Sequence, residues 1–114
     1  MKRSKDIIKH TTKTLTVKLH VDIIEEDGCY IAYCPALELS SYGKDEETAQ
    51  KRFVEVVEIF FNETRRKGTL EKYLLKMGWT LKKKPIPEYT PPANITYPHK
   101  IHHSFIENVA IPVS

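Results

Sequence analysis

Apolar and polar residues alternate strictly through residues 14–24, TLTVKLHVDII. One face of this stretch carries the apolar side chains, which are Leu15, Val17, Leu19, Val21 and Ile23. Period two with β-branched residues is typical of a strand that is buried on one face and polar on the other. Asp27-Gly28 follows and predicts a type I′ hairpin turn, because glycine tolerates a positive φ. We therefore expect a second strand over residues 29–34.

The second strand is predicted to end at Pro35, because proline cannot donate a ladder hydrogen bond. Residues 37–42, LELSSY, are then predicted as a short third strand. Three consecutive strands with short connections favour an antiparallel meander. Gly43 ends the alternating pattern.

The spacing of apolar residues after Gly43 changes to that of an amphipathic helix, which we expect to run to about Arg66. Asp45 is placed to cap its first turn. Gly68 is placed to end it. A shorter second helix is predicted next, with Thr69 as its cap and another glycine as its stop. The fold class is therefore α+β, a meander covered by one long helix.

The character of the chain changes from residue 79 onward. WTLKKK, residues 79–84, is consistent with a short strand or with the start of a linker. Five of the seven prolines fall within 85–98, which favours an extended run. The last ten residues recover β character and predict an arm that pairs with its own sheet or with another subunit. We therefore divide the chain into a domain over 1–84, with its core at 14–66, and an extended arm over 85–114.

The composition excludes several classes of protein. A chain of 114 residues and 13.3 kDa has room for about one domain, and 40% hydrophobic content argues against wholesale disorder. No apolar run approaches the roughly 18–20 residues of a membrane span, and the basic start lacks the apolar core of a secretory signal. We therefore expect a cytoplasmic protein. Cys29 and Cys34, on opposite faces of one strand, are expected to be reduced thiols.

The net charge of +3 conceals a strong segregation of charge. Residues 22–63 contain eleven acidic and three basic residues, a net charge of −8. The rest of the chain therefore carries +11. Such segregation favours a charged partner, although a solvated acidic helix face beside basic tails would give the same pattern.

Two groups in the C-terminal half have the composition of binding sites. His99, His102 and His103 form a His-x-x-His-His cluster, but it lacks the helical spacing and the neighbouring acid or cysteine of a zinc site. Lys82–Lys84 with nearby tyrosines loosely fit nucleic-acid binding, although a lysine run more often solubilises a linker. We expect no metal and no cofactor.

Enzymatic chemistry is also weakly supported. Cys34 with His20 would form a nucleophile and base, but an acidic neighbourhood raises a thiol pKa when activation requires a lower one. A two-metal nuclease needs three or four converging carboxylates, and the polar face of the first strand offers only Asp22. We therefore expect no catalytic residues and a protein that is not an enzyme.

Residues 25–61 resemble the HicB family of antitoxins from bacterial and archaeal toxin–antitoxin pairs. The matching features are Glu26-Asp27-Gly28, the strand Tyr30-Ile31-Ala32-Tyr33-Cys34-Pro35, Leu37, Gly43, Ala49 and the step Pro85-Ile86-Pro87. The match covers residues 14–66, a little under half of the chain. It implies a β-β-β-α-β domain with a partial ribonuclease H-like fold that lacks the nuclease carboxylates.

The resemblance also implies a partner, a small basic HicA-type toxin that cleaves mRNA with a catalytic histidine. A HicB-like protein binds this toxin and covers its active site, which agrees with the acidic segment at 22–63. Carried over by position, the toxin-binding residues lie on the second strand and its flanking turns and are Asp27, Tyr30, Tyr33, Pro35, Glu38 and Ser41. Because side chains alternate along a strand, one of the two tyrosines is expected to face the helix.

The chain departs from the family pattern in two respects. Its proline-rich C-terminus cannot supply a recognition helix, so we expect no autonomous DNA binding. The insertion GTLEKYLLKMGW, residues 68–79, either closes the core or makes a homodimer. A homodimer or tetramer is expected, since multimers are usual in the family.

The alternative function is a stand-alone HicB-like module without a toxin, acting through its basic tail on RNA or another protein.

Overall fold

A computed structural model describes residues 6–11, 13–98 and 100–112 of the chain. This part contains two helices, α1 (Glu46–Arg66) and α2 (Leu70–Lys76). Its strands are β1 (Ile7–His10), β2 (Thr14–Glu26), β3 (Cys29–Cys34), β4 (Leu39–Gly43), β5 (Thr80–Lys82), β6 (Glu88–Thr90) and β7 (His103–Pro112). All strand pairs are antiparallel and join into one sheet, so the predicted α+β class is confirmed.

Strand β2 organises the sheet because it pairs along both of its edges. One edge, over residues 14–23, pairs with β7. The register with β1 covers residues 15–18, and the register with β3 covers residues 22–26. Since both registers overlap that of β7, β1 and β3 must share the opposite edge and lie end to end along it.

The predicted meander β2–β3–β4 is present. Asp27 and Gly28 both have positive φ, 52° and 79°, as a type I′ turn requires. Strand β3 has the predicted bounds. Strand β4 begins at Leu39, because residues 35–38 form turns, and it extends to Gly43.

Helix α1 also begins and ends where its sequence indicates. The Asp45 side chain accepts a hydrogen bond from the Thr48 backbone N–H at 2.7 Å, which lowers the pKa of the Asp45 carboxyl. The helix is followed by Gly68, whose φ is 70°. Thr69 occupies the N-cap position of α2, as predicted, but its side chain makes no capping hydrogen bond, because the hydroxyl donates instead to the carbonyl of Thr64 at 3.4 Å.

The core lies between one face of the sheet and the two helices. The five alternating apolar side chains of β2 are fully buried, as predicted. They join the buried face of α1, which is Ala49, Phe53, Val57 and Phe61. Leu70 and Leu74 of α2 join the same cluster, so the insertion after α1 helps to close the core.

The alternation along β2 predicted that its polar face would be exposed, but one end of that face is buried. His20 is 6% exposed and Asp22 is fully buried. The ring of Tyr97 packs edge-on against His20, with centroids 5.6 Å apart, and Ser104 of β7 donates to Asp22. A later part of the chain therefore covers the end of β2 on the face opposite α1.

The C-terminal segment pairs with the sheet of its own chain. Strand β7 runs beside β2 over ten residue pairs, from Thr14–Pro112 to Ile23–His103. The stretch 79–84 contains the short strand β5 (Thr80–Lys82), which pairs with β6, and β6 pairs in turn with β1. No helix in the described part is long and apolar enough to cross a membrane.

Candidate functional site

A small cavity lies beside the turn that joins β3 to β4, between that turn and the residues that follow α2. Its volume is about 170 Å³. Three of the residues expected to bind a toxin line it, namely Tyr33, Pro35 and Glu38. The remaining lining residues are Ala36, Met77, Pro92, Asn94, Ile95 and Thr96. We call this site the Tyr33–Glu38 cavity.

The near wall of the cavity is a turn held by buried contacts. The indole N–H of Trp79 donates to the carbonyl of Ala36 at 2.9 Å, although the two residues are 43 positions apart. Leu37 is 1% exposed and points into the core. Glu38 follows with a φ of 55°, a left-handed conformation that is uncommon for a residue other than glycine, asparagine or aspartate. The turn therefore fixes the backbone of Glu38, whereas its side chain is exposed.

The far wall is formed by the end of α2 and the proline-rich segment. Gly78 has a φ of 101°, and a Cβ placed there would lie 3.3 Å from the Cβ of Pro92. The absence of a side chain at Gly78 allows Pro92 to approach closely, and both Pro92 and the neighbouring Met77 line the cavity. Sequence reasoning missed this wall because no local pattern connects residues 92–96 with β3.

The cavity favours positive charge. Among its described lining residues, Glu38 is the one with a charged side chain, and that side chain is exposed. Burial, followed by the charge of Glu38, raises the pKa of the Tyr33 hydroxyl. Tyr33 is therefore protonated at neutral pH and can donate or accept a hydrogen bond. Asn94 and Thr96 add further oxygen acceptors.

A more open groove of about 460 Å³ adjoins the cavity. Tyr33 and Thr96 line both spaces. The groove continues over Ile24 and Ile31 towards Tyr97, so its floor is mainly apolar. Together the two spaces form one continuous surface with a charged end and an apolar end.

The structure does not bring the other three predicted toxin-binding residues to the cavity. Asp27 is exposed at the tip of the β2–β3 turn. Tyr30 lies on the α1 face of β3, with its ring 5.8 Å from that of His102, so one tyrosine does face the helix, as predicted. Ser41 is 6% exposed and donates to the carbonyl of Ala49 at 2.7 Å. This bond ties β4 to α1, and we assign Ser41 a structural role.

His20 and Asp22 form a buried pair beneath the groove. His20 Nε2 lies 2.6 Å from Asp22 Oδ1, and the Ser104 hydroxyl donates to the same oxygen at 2.7 Å. A nucleophilic triad requires the serine to bond the histidine, whereas here the serine bonds the aspartate. The arrangement therefore joins β2 to β7 and is not that of a serine nucleophile.

Cys34 lies in an environment that disfavours its thiolate. Burial, reinforced by the charge of Asp6, raises the pKa of its thiol to about 12. The Sγ atom lies 3.9 Å from Asp6 Oδ2. The expectation that acidic neighbours raise this pKa is confirmed, although burial is the larger cause. The thiolate needed for nucleophilic attack is rare here at neutral pH.

Two histidines of the C-terminal cluster contact the start of α1. His102 Nε2 lies 2.9 Å from Glu46 Oε2, and His103 Nδ1 lies 2.7 Å from Glu46 Oε1. These contacts attach the beginning of β7 to the helix N-terminus. His99 lies outside the described residues. Within the described ranges, no group of three or more His, Cys, Asp or Glu side chains is arranged to hold a metal ion.

Comparison of the chain with family models, with curated proteins and with solved structures gave no match. Three features of the chain itself bear on its function: its charge distribution, the Tyr33–Glu38 cavity and the resemblance of residues 25–61 to the HicB pattern.

Proposed function

We propose that this protein is a HicB-like antitoxin that binds a small basic HicA-type ribonuclease and masks its active site. The observation that carries the proposal is the exposure of its acidic segment. Of the eleven acidic residues within 22–63, eight are exposed. They are Glu25, Glu26, Asp27, Glu38, Asp45, Glu47, Glu55 and Glu58.

An acidic surface suits a ribonuclease partner for a physical reason. A nuclease that binds RNA must present positive charge to the phosphate backbone. A protein that presents carboxylates to that surface competes with RNA for it and associates faster, because opposite charges steer the encounter. The adjoining apolar groove, lined by Ile24 and Ile31, supplies uncharged contact area beside the carboxylates.

The finer fold assignment, a partial ribonuclease H-like domain without nuclease carboxylates, is part of the same proposal. It is supported by the meander β2–β3–β4 followed by α1. It is also supported by the surroundings of Asp22, a fully buried residue that hydrogen-bonds to His20 and Ser104. A carboxylate engaged in this way suits a structural role better than metal-dependent cleavage.

The proposal requires that a small basic protein is encoded beside this chain, and co-expression with that protein tests it. We expect growth arrest by the basic protein alone, relief by co-expression, and a complex that is recovered by pull-down and weakened by high salt. Asp27→Lys and Glu38→Lys should each weaken the complex, because both carboxylates are exposed within the acidic segment. The measurement is the dissociation constant of each variant for the basic protein, determined at low and at high salt and compared with that of the unmodified chain.

Glu71→Lys is the matched control, since Glu71 is exposed on α2 outside the acidic segment. This variant should bind like the unmodified chain. Equal weakening by all three reversals would indicate a general charge effect and would contradict the proposed surface. If the neighbouring protein is not toxic and forms no complex, the antitoxin proposal fails. The stand-alone module acting through the exposed run Lys82–Lys84 then takes its place.

We also propose that the protein is a homodimer or tetramer. In the described part of the chain, β4 pairs only with β3 and β7 pairs only with β2. Each therefore has an outer edge whose backbone groups can pair with another chain. Light scattering coupled to size-exclusion chromatography gives the mass, and a monomer at micromolar concentration would contradict this proposal.

A further inference from the structure

We propose that the Tyr33–Glu38 cavity binds the guanidinium group of an arginine side chain. The inference rests on the proposed function for the source of that arginine, which would be the surface of the basic partner. The cavity itself can be tested without the partner.

The size of the cavity indicates a side chain as its ligand. Its volume of about 170 Å³ lies below the roughly 300 Å³ at which small-molecule pockets usually begin. A nucleotide or a cofactor would therefore not fit, whereas the end of one long side chain would. The exposed position of Glu38 means that such a side chain can enter from solvent.

The polar groups of the cavity suit a cation with many donors. Glu38 supplies the charge, and Tyr33, Asn94 and Thr96 supply neutral oxygen atoms. A guanidinium group has five N–H donors in a fixed plane, so it can bond a carboxylate and several neutral acceptors at once. Among its described lining residues the cavity has no cationic side chain to oppose this binding.

The apolar groups of the cavity favour arginine over lysine. Most of the cavity lining is polar, and Pro35, Met77, Pro92 and Ile95 contribute its smaller, apolar share. A guanidinium is weakly hydrated and packs against such surfaces, whereas an ammonium is strongly hydrated and loses more when it leaves water. The aliphatic stem of arginine can also pack against these walls.

The two walls are held before any ligand binds. Trp79 fixes one wall through its bond to Ala36, and the close approach of Gly78 and Pro92 fixes the other. A preformed cavity loses little conformational entropy when it binds a ligand. The side chain of Glu38 is the part that must be ordered.

An NMR titration of the full chain with N-acetyl-arginine N-methylamide tests the inference. The corresponding citrulline derivative, which has nearly the same shape but no charge, is the matched probe. We expect saturable shifts of the amides of Glu38, Asn94 and Thr96 with the arginine probe and none with citrulline. Glu38→Gln should weaken binding by about tenfold, the loss typical of one charge-assisted hydrogen bond.

Glu55→Gln provides the control, since Glu55 is an exposed glutamate on α1 that does not line the cavity. It should bind the arginine probe like the unmodified chain. No saturable shift with arginine, or equal shifts with citrulline, would overturn the inference. Equal affinity for the lysine derivative would overturn the assignment to arginine.

The titration tests the cavity and the co-expression experiment tests the antitoxin function, so either claim can be contradicted while the other holds. Binding of the arginine probe without any toxin complex would support the cavity and contradict the proposed antitoxin function. A toxin complex without arginine binding would support the function and overturn the cavity assignment. In each titration the amide spectrum also shows whether the variant is folded.

Discussion

The carboxylate of Asp6 accepts the backbone N–H of His20 at 2.9 Å, although the residues are 14 positions apart. Near His20, the strand that pairs with this edge of β2 changes from β1 to β3. Strand β1 pairs with residues 15–18 and β3 with residues 22–26, so residues 19–21 lack a strand partner on this edge within the described part. The buried side chain of Asp6 thus replaces the carbonyl that a continuous neighbouring strand would supply.

Substitution of Asp6 by alanine should destabilise the protein. The His20 N–H would remain buried without its acceptor, which typically costs about 1–3 kcal/mol in the free energy of unfolding. Asp6→Asn retains an oxygen acceptor and should lose less. Urea denaturation of the unmodified protein, Asp6→Ala and Asp6→Asn, monitored by circular dichroism, gives the three free energies of unfolding to compare.

The exposed Glu55→Ala provides the control for loss of a carboxylate and should change the free energy of unfolding by no more than about 0.5 kcal/mol. Equal losses for Asp6→Ala and Asp6→Asn would contradict the explanation, because only one of them removes the acceptor.

Asp6 should also make stability depend on pH. Burial raises the pKa of its carboxyl above the usual 3.8 and outweighs the hydrogen bond from His20. The folded state therefore binds this proton more tightly than the unfolded state. The resulting stabilisation is fully present below about pH 3.8 and is lost as pH rises through the folded-state pKa.

Comparison with Asp6→Asn isolates this effect, because the amide does not titrate. The free energy of unfolding of the unmodified protein, minus that of Asp6→Asn, should decrease as pH rises from 3 to 7. A difference that is constant or that increases with pH would show that Asp6 does not have a raised pKa.

The two cysteines should differ in reactivity. Cys29 is exposed, whereas Cys34 is buried and burial raises the pKa of its thiol to about 12. A thiol reagent at pH 8 should label one thiol in the native protein and two in denaturant. Native Cys29→Ser should show no rapid labelling, and rapid labelling of that variant would contradict the burial of Cys34.

The elements that the sequence predicted well are those with local signals. The alternation through β2, the Asp27-Gly28 turn and the capping residue Asp45 each act within a few positions, and each appears in the structure where expected. Helix α1 combines such a cap with a regular apolar face. Local signals of this kind suffice to place an element along the chain.

The sequence predicted one wall of the candidate site but not the other, because the other wall comes from residues distant in the chain. Tyr33 and Glu38 lie within residues 25–61, where the sequence shows local patterns, but the cavity forms only where residues 92–96 lie beside them. The burial of Asp22 likewise depends on Ser104, 82 positions later. Strands β1 and β6 are only four and three residues long, so they show no periodicity that a sequence could reveal.

Gly43 should be intolerant of any side chain. A Cβ at this position would lie 2.4 Å from the backbone nitrogen of Ala49, so the start of α1 would have to move away from β4. Gly43→Ala should therefore lower the free energy of unfolding by about 1–3 kcal/mol, the usual cost of overpacking. Ser40→Ala, at an exposed position of the same strand, should change it by no more than about 0.5 kcal/mol. A tolerated Gly43→Ala would contradict the close packing of α1 on β4.

Glu38 should show a conflict between stability and binding. Its φ of 55° is a left-handed conformation that costs a residue other than glycine about 1–2 kcal/mol. Glycine avoids this cost but loses about 0.5–1 kcal/mol of conformational entropy on folding. Glu38→Gly should therefore leave the free energy of unfolding unchanged or raise it by up to about 1.5 kcal/mol, as measured by urea denaturation.

The same variant should bind the arginine probe at least about tenfold more weakly, because the carboxylate of the Tyr33–Glu38 cavity is gone. Glu38→Gln keeps the backbone strain and should weaken binding to a similar extent without gaining stability, which separates the two effects. If Glu38→Gly instead destabilised the fold by more than about 1 kcal/mol, the side chain would have a structural role that the packing of this turn does not show.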